Sequence, residues 1–220
     1  SYVVDGEHGE CDIVIEASDV VIFLEIKKKP WTRRAQAGMD AHVLLDLANS
    51  LLAAQSQAGW HEVRLRKRGF VELCVGGTVS RLELRGREVE RIAVALFDFG
   101  SFQDRILLKQ FLEGTLNASF SSADPGLKKK FDELNELLGE IRTQISLLHP
   151  GATEIKQPFF HCWFLSVPQL LVLLDDVGSA DEFKASLWKT RHMSTGSSDF
   201  YFDNAYMHGR IGSSAATRRS

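Results

Sequence analysis

Two short β-branched apolar runs lie close together near the start of the chain, residues 11–17 (CDIVIEA) and 20–27 (VVIFLEIK), separated by the turn formers Ser18 and Asp19. This pattern predicts a hairpin, and a two-residue loop fixes its register: positions whose numbers sum to 37 face each other. Asp12 then lies opposite Glu25 and Glu10 opposite Lys27. Alternation along the strand puts Glu25 and Lys27 on one face. Four charged side chains therefore converge on one patch of one sheet face. Opposed carboxylates with β-carbons only about 5 Å apart repel each other. One of them must take up a proton unless a cation sits between them.

The rest of the chain alternates between helical and extended patterns. Lys27, Lys28 and Lys29 lead into Pro30, which ends the strand. Thr32 is suited to cap a helix whose apolar positions run from Ala37 to Leu52 with spacings of three and four, stopping near Ala58-Gly59. Alternating segments at 61–67, 70–75, 78–85 and 89–97 follow, punctuated by Gly69, Gly76-Gly77 and Gly86. A helix over 102–114 precedes a small, polar stretch broken by Pro and Gly at 118–126. Next come a long amphipathic helix over 127–148, a strand within 158–165, and helices over 167–177 and 180–192, the last with Ser179 and Glu182 as a capping box. The expected organisation is a core over 1–117, a linker over 118–126, a mainly helical region over 127–211 and a frayed tail over 212–220. The chain opens only a few residues before a strand, so a preceding segment is expected. The order ββα, then strands, then helices predicts an α/β fold: a mixed sheet flanked by helices, with a helical C-terminal portion.

The formal net charge is -3, from 26 basic and 29 acidic side chains. A nucleic-acid partner would therefore be held by local basic groups and metal ions rather than by overall charge. Three widely spaced cysteines, Cys11, Cys74 and Cys162, suggest neither a disulfide framework nor a zinc knuckle, which fits a reducing, cytoplasmic setting. No apolar run approaches the roughly 20 residues of a membrane span.

Asp12 and then, after twelve intervening residues, Glu25-Ile26-Lys27 sit on adjacent predicted strands that are followed by a helix. This resembles the PD-(D/E)XK (restriction-endonuclease-like) nuclease superfamily. By that resemblance Asp12 and Glu25 ligate Mg²⁺ or Mn²⁺, with the Ile26 carbonyl as a further ligand. Lys27 orients water or stabilises developing charge, and Gln36 on the next helix stands where parts of the superfamily carry an auxiliary glutamine. The sequence departs from the pattern in having Cys11 where a proline often precedes the aspartate, and in lacking a helix with a glutamate upstream. The implied activity is phosphodiester hydrolysis of nucleic acid, DNA in preference to RNA, with phage defence or DNA repair as settings by family habit. Lys28, Lys29, Arg33 and Arg34 are candidate phosphate contacts, against the plainer reading of a solvated charged rim. Trp31 reads as the plug of the strand–helix corner. Arg64, Arg66, Lys67 and Arg68 read as a basic groove or a soluble edge. The competing functional readings are a non-catalytic nucleic-acid-binding or regulatory module that retains the fold, and an interaction domain. The latter is suggested by the C-terminal apolar helices, whose faces could equally form an intramolecular core or a homo-oligomer seam.

Overall fold

A computed structural model describes residues 1–4, 7–175, 177–191 and 196–209 of the chain. The tail expected over 212–220 lies outside them. Strands β1 (Tyr2–Val4) and β2 (Glu7–Gly9) form an antiparallel pair. The hairpin of β3 (Ile13–Glu16) and β4 (Val20–Lys27) follows. Its partners are Ile13–Leu24, Val14–Phe23, Ile15–Ile22 and Glu16–Val21, so the predicted register holds. The Ala17 N–H donates to the Val20 carbonyl at 3.0 Å, closing the loop over Ser18 and Asp19.

Beyond β4 lie α1 (Arg33–Gln36), α2 (Asp40–Leu47), a π-helical turn (Ala48–Leu52) and α3 (Ala53–Arg68). Thr32 caps α1 as expected, its hydroxyl accepting from the Ala35 N–H. From Asp40 to Arg68 the chain is continuously helical, so the stop expected at Ala58-Gly59 and the strand expected over 61–67 are both corrected. Gly59 does not end the helix. A β-carbon there would collide with the Gln144 side chain, so glycine lets two helices approach closely. Termination comes at Gly69, in the left-handed region with φ 75°, after a last turn in which Arg66, Lys67 and Arg68 face the negative end of the helix dipole.

Strands β5 (Phe70–Val75) and β6 (Thr78–Glu83) form a second hairpin that joins β1 and β2 in a four-stranded sheet of order β2-β1-β5-β6. The chain then returns as β7 (Glu88–Ala95), parallel to β4. Helices α4 (Arg105–Leu116) and α5 (Lys128–Leu148) lead to β8 (Cys162–Ser166), parallel to β7. The second sheet is thus mixed, with order β3-β4-β7-β8. Helices α6 (Val167–Leu174), α7 (Ala180–Arg191) and α8 (Phe200–Met207) complete the chain, and α8 was not anticipated from sequence. Among the described residues no helix is long and apolar enough to cross a membrane.

One face of the mixed sheet packs on α3, α4 and α5 through Leu52, Ala54, Ala93, Leu112, Leu138 and Phe164. The other face carries Ile22, Leu24, Ile92 and Trp163 against Leu173, Phe183 and Leu187 of α6 and α7. Residues on both sides of the 118–126 segment share the first of these cores, and β8 is a strand of the same sheet. The C-terminal half is therefore built into the sheet rather than appended to it.

Glu90 on β7 is completely buried, yet its charge is well matched. Arg191 donates from one nitrogen to both carboxylate oxygens at 2.7 Å, and His161, Trp163 and Trp188 donate as well. Burial alone would raise the Glu90 carboxyl, but the His161 bond and the Arg191 charge bring it below its ordinary value. A depressed folded-state value stabilises the fold above the unfolded carboxyl pKa of about 4.3, and that contribution is lost as pH falls through the folded value. Glu90→Gln, which leaves Arg191 buried without its counter-charge, should cost about 3–5 kcal/mol in urea unfolding at neutral pH. The gap from wild type should narrow as the pH is lowered through the carboxyl range.

Candidate functional site

Strand β4 is buried from Val20 to Glu25. Its odd-numbered side chains, Val21 and Phe23, face α3 and the smaller sheet, and Ile22 and Leu24 face α6 and α7. By the same alternation Glu25 and Lys27 emerge on the α3 side, at the C-terminal end of the strand. Strand ends of this kind are where open α/β sheets place their ligands.

Antiparallel pairing with β3 stops at Ile13–Leu24, one residue short of Asp12. Asp12 instead uses its side chain, Oδ2 accepting from the Ile26 N–H at 2.7 Å. Its carboxylate therefore sits on the peptide unit joining Glu25 to Ile26, and the structure does bring Asp12 to the ExK segment. Glu10 does not join them in the way the register implied. Its segment crosses from β2 in one sheet to β3 in the other, and Glu10 is exposed. Lys27 Nζ donates to Gln57 Oε1 on α3.

Glu25 is only 3% exposed. Its Oε1 is 2.9 Å from His61 Nε2, one turn along α3 from Gln57. Tyr2 Oη bonds His61 Nδ1, and burial raises the Tyr2 hydroxyl so that it stays protonated. The bond polarities then follow: in the neutral ring the Tyr2 hydroxyl donates to Nδ1, and Nε2–H donates to the Glu25 carboxylate. Phe23 and Tyr2 each place a ring centroid 5.4 Å from the His61 ring. Cys11 adjoins Glu25. Burial, then the charge of Glu25, push its thiol well above the usual range.

The buried acids of this fold differ in their counter-charges. Glu90 has Arg191, and Glu62 has Arg66 at 2.7 Å and Arg91 at 3.4 Å. Among the described residues Glu25 has only His61 as an ion-pair partner. This buried carboxylate lies next to an imidazole and a thiol, with Asp12 one peptide away, and no lysine or arginine pairs with it among the described residues. Asp12, Glu25 and the Ile26 carbonyl are oxygen donors of the type a hard divalent ion takes.

The remaining candidates separate. Gln36 is exposed on α1 and donates from Nε2 to the Trp31 carbonyl at 3.4 Å, so Gln57 is the glutamine that touches the ExK segment. Trp31 packs in tilted contact with the rings of Phe99 and Phe102 at the corner, as expected. Lys28, Lys29, Arg33 and Arg34 form an exposed basic segment immediately after Lys27. Within it Lys29 lies 3.9 Å from the buried Asp46, and Arg34 lies 3.3 Å from His42. Gln57, His61 and Tyr2 were missed by sequence reasoning. The spacing of Gln57 and His61 by four residues would have signalled a shared helix face had the helix been extended past Gly59.

Comparisons with protein-family models, with curated proteins and with solved structures gave no match.

Nitrogen-detected NMR of the imidazole should show His61 as the Nε2–H tautomer when neutral, reverting to a mixture in Tyr2→Phe. A neutral ring protonated at Nδ1 in the wild-type protein would contradict the assigned polarity.

Proposed function

We propose that this chain is a metal-dependent nuclease with a restriction-endonuclease-like core, hydrolysing phosphodiester bonds of DNA. The observation that carries this reading is the grouping at the end of β4. Glu25, with no arginine or lysine partner among the described residues, is buried there, the Asp12 carboxylate rests on the next peptide, and Lys27 emerges on the same face as Glu25. The order of elements supports it, since an antiparallel hairpin bearing these residues is followed by a helix and a strand parallel to the second hairpin strand.

Asp12, Glu25 and the Ile26 carbonyl would hold Mg²⁺ or Mn²⁺. Such an ion supplies a more acidic bound water and neutralises charge on the phosphate. The chain's own residues do the rest. Gln57 accepts one of the three Lys27 ammonium donors and fixes the direction of the side chain, leaving two for the charge that develops on the phosphate oxygens. Tyr2 and His61 hold Glu25 in place. Asp12, tied to the Ile26 amide through one oxygen, presents the other. Lys28, Lys29, Arg33 and Arg34 line the exit from β4 and suit contacts to the phosphate backbone, which position a duplex without reading sequence.

A second reading, a nucleic-acid-binding module without turnover, is favoured by one observation: Glu25 is almost fully buried and already bonded to His61. Incubation with linear, circular and single-stranded DNA and with RNA, in EDTA, Mg²⁺ or Mn²⁺, separates the two. The nuclease reading expects metal-dependent cutting of DNA. Lys27→Ala should reduce it on the order of 100–1,000-fold, and Gln57→Ala by roughly 10–100-fold, as for partners that orient a catalytic group. Binding without cutting in any metal would favour the module and sink the nuclease assignment.

If the basic segment holds phosphate, replacing Arg33 or Arg34 by alanine should weaken DNA binding equally for all sequences. Each replacement should also flatten the dependence of log affinity on log salt by about 1. An unchanged slope would return these residues to the role of a solvated rim.

A further inference from the structure

We infer that Cys11, Glu25 and His61 form a binding site for a thiophilic divalent cation of the Zn²⁺ class. One thiol sulfur, one carboxylate oxygen and one imidazole nitrogen lie within 4.8 Å of one another. They come from the crossing between the two sheets, from β4 and from α3, so the tertiary fold assembles them. Glu25 and His61 are buried and Cys11 is half-buried. A mixed sulfur, nitrogen and oxygen set is what Zn²⁺ accepts, whereas Mg²⁺ keeps to oxygen. Three protein ligands leave a fourth tetrahedral position open.

Two further observations point the same way. The ring nitrogen of His61 that faces away from the cluster already bonds Tyr2, and ligating imidazoles use an outer partner of this kind to fix their orientation. The buried Glu25 has no lysine or arginine partner among the described residues, and a divalent ion supplies a full positive charge. The protons balance. The Cys11 thiol proton leaves to solvent as the sulfur–metal bond forms. His61 gives up its Nε2 proton and takes one at Nδ1, which then donates to Tyr2 Oη. Occupation therefore releases one proton net.

This site uses Glu25 but not Asp12, and its existence does not depend on the nuclease reading. Where both hold, Zn²⁺ draws Glu25 away from the oxygen-only set, and Zn²⁺ inhibits cleavage supported by Mg²⁺.

The test is titration of metal-free protein with Co²⁺, read by absorption. The expected result is an intense thiolate-to-cobalt charge-transfer band that saturates at one equivalent. The band should be lost in Cys11→Ser and kept in Cys74→Ser and Asp12→Ala. Tyr2→Phe should weaken Co²⁺ binding on the order of 10-fold, and His61→Ala by more. A wild-type protein without the band, a band that survives Cys11→Ser, or a band lost in Asp12→Ala would overturn the proposal. Because a variant can fail by misfolding, alkylation of the wild-type protein provides a second readout: Zn²⁺ should slow modification of Cys11 and leave the exposed Cys74 unaffected. Equal rates at Cys11 with and without Zn²⁺ would also overturn it. None of these readouts involves cleavage, so failure of the nuclease reading would leave them standing.

Discussion

Strand β4 is covered on both faces for most of its length, by the α3 layer on one side and by α6 and α7 on the other. It also has a paired strand on each edge, β3 and β7. A strand so enclosed carries apolar side chains unless each polar group finds a buried partner, as Glu90 does on β7, and Val20 to Leu24 are all apolar. Full burial of each is worth roughly 1.5–3 kcal/mol for the larger side chains. On β4 the polar side chains come only at its end. That constraint puts Glu25 and Lys27 where they are, and β3 stops pairing just where Asp12 is needed to take up the free Ile26 amide.

The burial of charge follows one logic across the domain, with one departure from it. Glu90 and Glu62 sit on or beside the sheet with arginines in contact, and Arg91 also donates to the Cys162 sulfur at 3.2 Å. These groups are matched, and their role is to fix the packing of β7, β8, α3 and α7. Glu25 is instead held by His61 and adjoins the Cys11 thiol. Among the described residues it is the buried acid with no arginine or lysine in ion-pair contact, which is where the proposed cation is placed.

The hairpin and its register were legible because a two-residue loop and strict alternation determine every facing pair from the loop outward. The same reasoning overreached at Glu10, because it extended the ladder past the point where the chain leaves one sheet for the other. The α3 contribution to the site was not legible for a different reason. Gly59 looks like a helix stop in one dimension, and only the nearby Gln144 side chain shows that it is a point of close approach. Reading a stop there turned the following basic residues into a strand and hid the face shared by Gln57 and His61. The placement of Tyr2 depends on β1 joining β5, far along the chain, at the pairing of Tyr2 with Leu73, and no local pattern encodes that. The membership of β8 in the main sheet was hidden in the same way behind α5, because everything beyond the 118–126 segment read as a separate helical region, whereas it shares the core of the first part.

The end of β4 is, on this account, an ion site assembled from Asp12, Glu25 and the peptide between Glu25 and Lys27. Anomalous diffraction from crystals grown with Mn²⁺ tests this most directly. The account predicts a single strong anomalous peak in ligating contact with one oxygen each of Asp12 and Glu25, and its disappearance in Glu25→Gln. A crystal saturated with Mn²⁺ that shows no peak there, with Glu25 still bonded to His61, would contradict it.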